Sequence, residues 1–317
     1  MNDLILIALS TFSRESREPL SLLEASGIPF QIHTSGKRIT RAELLDKAGD
    51  ATAILAGVEP YDADLFNQLP ALRCISRCGV GVDAIDLSAA REHGVTVANT
   101  PDSPVQAVAE LAITMFLSLS RNIPRQTKLM SGRRWERVES HLLRGRTVGL
   151  VGFGRIGRRV AELCFAFGAK VCVYDPFVPV EEISSLGGVP VSFDELLATS
   201  DILSLHASKG DSGHPLLGSD EFARMKSGAI VVNLARGDMI DEDALIEALR
   251  TGRVSGAGLD VFLSEPYTGE LCDFPQVILT PHSATLPVET RGEMECRCVQ
   301  NALDFLSGGL NPYFRVC

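Results

Sequence analysis

The chain has 317 residues, 45% of them hydrophobic, and a formal net charge of −10. That length allows two domains with sizeable cores, and that apolar share argues against disorder. The acidic balance argues against nucleic acid or an anionic membrane as a partner.

The longest apolar runs, such as residues 4–9, are too short to span a bilayer. Met1-Asn2-Asp3 lacks the basic start of a signal peptide. Eight cysteines are scattered without a ligand-like framework, so reduced packing thiols in a cytoplasmic protein are expected, with no metal site.

Residues 1–99 alternate strand and helix signals. Strands are expected at 4–9, 30–33, 53–56, 72–76 and 95–98, and helices at 19–26, 40–48, 62–68 and 86–93. Gly27, Gly49 and Gly94 each follow a helical run as a C-cap. Thr40 with Glu43 predicts a capping box. Alternating β and α implies a parallel sheet covered on both faces.

Residues 100–145 are expected to be mainly helical. A dense apolar face over 104–119 gives way to a polar arm carrying Arg121, Arg125, Lys128, Arg133, Arg134 and Trp135. The only tryptophan sitting among charges points to an oligomer contact rather than a solvated arm.

From 146 a second β/α series begins. Residues 147–151 suit a strand buried on both faces, and Gly152-Phe153-Gly154-Arg155-Ile156-Gly157 follows at once. Ile156, Val160, Leu163 and Phe167 then recur at helical spacing, Gly168 ends the helix, and 170–174 is a second strand ending at Asp175. This pattern predicts a dinucleotide site. Gly152 permits the tight turn, Gly154 admits a pyrophosphate, and Gly157 lets helix pack on strand. The helix N-terminus offers free N–H groups to the phosphates. Asp175 lies 18 positions after Gly157 (175 − 157), near the offset of a carboxylate that grips ribose hydroxyls. Pro176 and Phe177 follow it, with no cation for a 2′-phosphate, so NAD is expected rather than NADP. Further strands are expected at 189–192, 202–206, 230–234, 257–261 and 277–280. Helices are expected at 193–198, 220–226 and 241–250, with a capping box at Ser192 and Glu195. A last helix, 287–307, crosses back to the first domain.

Ligands of open α/β sheets bind beyond the carboxyl ends of strands. Arg236, Asp260, Glu265 and His282 all fall there. His282 would be the acid–base group, since its ordinary pKa lies near neutrality. Glu265 would hold the imidazole and favour its charged form. Arg236 would grip the substrate with a fork that lysine lacks. His206 is expected to line the cofactor cleft, and Asp260 to contact the nicotinamide end. The other histidines (His33, His93, His141 and His214) are expected to be structural. In the first domain, Arg77-Cys78-Gly79-Val80-Gly81-Val82-Asp83 follows a strand. Its glycines would expose N–H groups to a carboxylate, and Arg77 would add a charge.

These residues resemble the D-isomer-specific 2-hydroxyacid dehydrogenase family, in its D-3-phosphoglycerate dehydrogenase-like branch. The resemblance runs over nearly the whole chain. Its marks are residues 77–83, Asn99-Thr100-Pro101, 152–157, Asn233-Leu234-Ala235-Arg236-Gly237, Gly258-Leu259-Asp260-Val261-Phe262, Ser264-Glu265-Pro266 and Thr280-Pro281-His282. It implies the catalytic set Arg236, Glu265 and His282. It puts Arg155, Ile156, Asp175, Pro176, His206, Ala207, Asp260 and the backbone at Leu234 and Ala235 on cofactor-binding positions. Val80 falls where substrate and nicotinamide are approached. It further implies an α/β fold of two domains: a Rossmann doubly wound parallel sheet (100–286, with 100–145 as a dimerisation arm) inserted into a smaller flavodoxin-like open α/β substrate domain (1–99 and 287–317). A cleft between them and a homodimer are also implied.

Three departures stand out. His206-Ala207-Ser208-Lys209-Gly210 replaces the family's His-x-Pro-Leu-Thr. Ser283-Ala284-Thr285 adds side chains near the nicotinamide. Ala56-Gly57-Val58-Glu59 puts an acid where a phosphoglycerate enzyme tends to carry arginine. The expected substrate is therefore a D-2-hydroxy or 2-oxo acid, phosphoglycerate-like or another anion. Arg14, His33 and Lys37 are candidates for a second anion pocket. The alternatives are an NAD-sensing, corepressor-like binding protein, or a relative oxidising an anion such as phosphite.

Overall fold

The computed structural model describes residues 3–207 and 214–317, so Ser208, Lys209 and Gly210 lie outside the described residues. The chain divides into two compact units, Met1–Pro104 with Leu286–Cys317, and Val105–Thr285. The first crossing falls at Pro104, later than the expected 99.

The first unit runs β1 (Ile5–Ile7), α1 (Glu18–Ser26), β2 (Phe30–Ile32), α2 (Arg41–Ala48), β3 (Ala53–Ala56), α3 (Ala63–Gln68), β4 (Cys74–Arg77), α4 (Leu87–Glu92) and β5 (Thr96–Ala98). Its five strands pair in parallel in the order β2-β1-β3-β4-β5, the flavodoxin-like doubly wound order. Period-two alternation sends Ile5, Ile7, Ala53, Leu55 and Cys74 to one core and Leu6, Ile54, Ala56 and Ile75 to the other. The expected capping box closes: Glu43 N–H donates to Thr40 Oγ1, and Thr40 N–H donates to Glu43 Oε2 at 2.9 Å. Gly27 and Gly94 are left-handed, at φ 69° and 68°. Gly49 is a correction: it caps α2 in right-handed geometry, φ −49°, where any residue fits.

The second unit opens on α5 (Pro104–Ser120) and α6 (Ile123–Ser131). It continues with β6 (Thr147–Val151), α7 (Arg155–Ala166), β7 (Lys170–Tyr174), α8 (Val180–Ser185), β8 (Val189–Pro190), α9 (Phe193–Thr199), β9 (Ile202–Leu205), α10 (Ser219–Arg224), β10 (Ala229–Asn233), α11 (Glu242–Arg250), β11 (Val254–Leu259) and β12 (Val277–Leu279). The seven strands lie in the order β12-β11-β10-β9-β6-β7-β8, all parallel. This is a Rossmann sheet whose strand order reverses between β6 and β9. One face packs on α5 and α7 (Phe116, Val160, Cys164), and the other on α9 to α11 (Leu196, Phe222, Leu245). α12 (Val288–Leu306) belongs to the first unit, where Met294, Cys298 and Val299 join the core beside β1 and β3. The residues after it return to β5: Ala98 bridges Arg315, and Val316 N–H donates to the Val97 carbonyl at 2.7 Å.

Three expectations needed adjusting. α8 went unread because its six residues bury only Ile183, too little for a period to show. β11 starts at Val254 rather than 257; glycines hide its pattern, and Gly258 is small because a Cβ there would come 2.7 Å from Met115 Sδ. At Ser192 the forward bond from Glu195 N–H forms, which is one half of the expected box. α6 buries none of its residues, and the arm after it leaves Trp135 82% exposed. All eight cysteines are unpaired. Among the described residues no helix is long and apolar enough to cross a membrane.

Candidate active site

Three neighbouring strands of the second unit, β10, β11 and β12, end beside one another. Arg236 follows the first, Asp260 and Glu265 the second, and His282 the third. Glu265 Oε2 lies 2.9 Å from His282 Nδ1, while Oε1 accepts from Phe262 N–H at 3.2 Å. The imidazole stays about half exposed (54%).

His282 sits in a tight turn with φ +50°, a costly conformation for a residue with a side chain. Asp260 holds that turn. Its carboxylate, 1% exposed, accepts from Thr280 Oγ1 (2.5 Å), Ser283 N–H (2.8 Å) and Ala284 N–H (3.0 Å). Its backbone carbonyl accepts from His282 N–H at 2.9 Å. The Asp260 carboxylate and the Ser283 and Ala284 amides are therefore committed to shaping the turn, and Ala284 points into the core beside Leu234.

Arg236 is placed by Asn233, a buried residue to which the sequence reading gave no role. Asn233 Nδ2 donates to the Arg236 carbonyl at 2.8 Å, and its Oδ1 accepts from Ala235 N–H at 3.0 Å. Gly237 is tight for a separate reason. A Cβ there would overlap the Phe262 carbonyl, so the Arg236 loop presses on the loop carrying Glu265.

At the reversal point the glycine loop has the shape a dinucleotide requires. Gly152 has φ +94°, and a Cβ on it would come 2.6 Å from Ala207 N. A Cβ on Gly157 would overlap the Gly152 carbonyl oxygen, so strand and helix meet with no room for a side chain. A Cβ on Gly154, the N-cap of α7, would meet nothing within 4 Å. Asp175 follows β7 and stands over this loop, accepting from Phe153 N–H at 2.7 Å and Phe177 N–H at 2.8 Å. An open glycine at a helix N-terminus beside a carboxylate on the next strand fits a pyrophosphate and a ribose diol. His206 is tucked beneath: its Nε2 is 2.8 Å from Ser204 Oγ, and desolvation pushes its pKa down to about 4.

The first unit carries its own candidate. Arg77 ends β4, but its guanidinium folds back inside and bonds the Cys78 carbonyl; burial lowers its pKa. Any charge Arg77 adds to the loop, as expected from the sequence, therefore acts from within it. Gly79 N–H also turns inward, to Thr100 Oγ1 at 2.8 Å. Val80 and Gly81 N–H have no partner among the described residues. Glu59, after β3, is buried; its Oε1 accepts from Gly57 N–H (2.8 Å) and Tyr61 Oη (2.7 Å). His33 is also buried, with Nε2 3.0 Å from the Lys37 carbonyl, which removes it from the suggested second anion pocket.

The comparisons agree with this geometry. Residues 113–284 match the family described as D-isomer specific 2-hydroxyacid dehydrogenase, NAD binding domain. The D-3-phosphoglycerate dehydrogenase of Archaeoglobus fulgidus is 37% identical over 274 residues, 85% of this chain and 51% of its own length. The hydroxypyruvate reductase of Thermotoga maritima is 38% identical over 247 residues, 75% of this chain and 79% of its own. A crystal structure of a glyoxylate reductase from Paecilomyes thermophila superposes with a TM-score of 0.89 at 31% identity, covering 99% of this chain and 98% of that one. The chain spans about half the length of the phosphoglycerate dehydrogenases it matches. With its glycine loop, strand-end acid and matched NAD-binding region, this chain belongs to the D-isomer specific 2-hydroxyacid dehydrogenase family.

Proposed function

We propose that the chain is an NAD-dependent dehydrogenase of D-2-hydroxy acids, interconverting them with 2-oxo acids. The observation that carries this reading is the His282–Glu265 pair at neighbouring strand ends, 2.9 Å apart. Bound NAD supplies the hydride acceptor, and NADH the donor, at nicotinamide C4. The α7 N-terminus and Gly154 would receive the pyrophosphate, and Asp175 the ribose hydroxyls. Its charge would repel a 2′-phosphate.

Glu265 occupies Nδ1 and so assigns Nε2 to the reacting oxygen. In reduction, Nε2–H gives its proton to the carbonyl oxygen as hydride reaches C2; in oxidation it takes that proton back. Arg236 would polarise the carbonyl, and Val80 and Gly81 N–H would hold a carboxylate. The edge after β3 offers exposed Val58, with Glu59 turned inward, and Arg38 reaches it through the Val58 carbonyl. That edge sets the Glu59 carboxylate and apolar Val58 beside the Arg38 guanidinium, a poor match for a phosphate, so we favour a short, unphosphorylated acid.

The test is NADH and NADPH oxidation with glyoxylate, hydroxypyruvate and 3-phosphohydroxypyruvate. Turnover with NADH and the unphosphorylated acids is expected. NADH binding with no oxidation by any of them would overturn the proposal.

We also propose that the arm with Ile123, Met130, Trp135 and Leu142, all 49% exposed or more, seats a second copy of the chain. Trp135→Glu is then expected to yield monomers in sedimentation, and an unchanged mass would refute the contact.

A further inference from the structure

Two peptide planes fix the direction of the Val80 and Gly81 N–H groups. Thr100 N–H donates to the Gly79 carbonyl at 3.1 Å, and Asn99 Nδ2 donates to the Val80 carbonyl at 2.8 Å. A trans peptide is planar, with its N–H opposite its C=O. Pinning these two carbonyls toward the end of β5 therefore turns the next two N–H groups away from it. Asn99 is itself held from two further sides. Its N–H donates to the Phe314 carbonyl at 3.0 Å, and its carbonyl accepts from Asn301 Nδ2 at 2.9 Å.

Asn301 is the unusual member. It lies in α12, 0% exposed, and its Oδ1 has no hydrogen-bond partner among the described residues. A buried amide with one end unpaired destabilises the fold, and an apolar residue of the same size would serve the core better. Such a residue is a candidate for a role outside packing.

We propose that Asn301 is a positioning residue: through Asn99 it sets the orientation of the Val80–Gly81 amides, and so the affinity for the carboxylate of the substrate. The path runs from helix α12 to the Asn99 carbonyl, then through the Asn99 side chain to the Val80 carbonyl. The substrate part rests on the function proposed above; the amide orientation does not.

The test uses the full chain with Asn301→Leu, Asn99→Ala and the double variant. Three quantities are measured: melting temperature, KM and kcat for hydroxypyruvate, and deuterium exchange at Asn99 and Thr100, whose N–H groups donate to the Phe314 and Gly79 carbonyls. Asn301→Leu is expected to leave the melting temperature little changed, since losing the unpaired oxygen offsets losing the donor to the Asn99 carbonyl. It should raise KM by about tenfold, one hydrogen bond's worth of binding, with kcat within about twofold. Exchange at the two amides should quicken. Asn99→Ala, at a half-buried site that any fold should tolerate, is expected to do the same, and the double variant to do no more. An unchanged KM with unchanged exchange in Asn301→Leu would overturn the proposal. So would additive effects in the double variant. If the wild type reduces no 2-oxo acid, the function proposed above falls, and exchange alone still decides the relay.

Discussion

His282 and Asp260 are joined twice. The backbone N–H of His282 donates to the Asp260 carbonyl at 2.9 Å, and the Asp260 carboxylate gathers the residues on either side of the histidine. The proposed acid–base group thus stands on a turn that a buried acid keeps in a strained shape.

Asp260→Asn is expected to disrupt this turn. The amide can face Ser283 and Ala284 with only one oxygen, leaving one of their N–H groups against a donor. A buried donor without a partner costs roughly 1–3 kcal/mol. Calorimetry should show a lower melting temperature, and kcat should fall with it. Unchanged values for both would mean the turn holds itself.

Replacing His282 with Gln should lower kcat by about 10²–10⁴-fold, the usual worth of a placed acid–base group. Glu265→Gln should reduce it less, because the ring stays in place while losing its carboxylate partner. NADH binding, followed by fluorescence, should survive both changes. Full turnover in His282→Gln would remove the histidine from the chemistry.

The glycine loop offers a stability readout. Gly157→Ala drives a methyl into the Gly152 carbonyl, which is backbone and cannot turn aside. Overpacking of this kind costs roughly 1–3 kcal/mol. Thermal melts should show the loss, and NADH should restore less stability to the variant than to the parent.

His206 makes stability depend on pH. Its folded pKa is down at about 4, while an unfolded histidine titrates near 6.5. The unfolded state then binds the extra proton between those values. The stabilisation is complete above pH 6.5 and declines as pH falls toward 4. His206→Gln should flatten denaturation midpoints over that window; an unchanged slope would assign it to other groups.

Much of this was legible in the chain because it is written locally. Ile5, Leu6 and Ile7 alternate between two cores, and 152–157 carries its turn, its open edge and its tight packing within six residues. The strand-end polar residues were readable because a parallel sheet brings its carboxyl ends to one side. Residues that act across long separations were not. Asn301 meets Asn99 across 202 positions, and no spacing rule reaches that far. Asn233 sits in a recognisable motif, but its bonds to the Arg236 carbonyl and the Ala235 N–H exist only once the turn has folded. Arg77 is similar: the sequence shows a charge after a strand but not that it folds inward.

The split of the first unit across the chain bears on its synthesis. Residues 286–317 complete that unit, yet they leave the ribosome after all of 105–285. The Rossmann sheet can close on the nascent chain as soon as its own strands emerge. The earlier-made strands β1, β3 and β4 must meanwhile keep one apolar face only partly covered, by Leu23 of α1, until α12 arrives. Slowing translation between those two events should therefore expose the N-terminal sheet to chaperones and proteases, and leave the nucleotide-binding half intact.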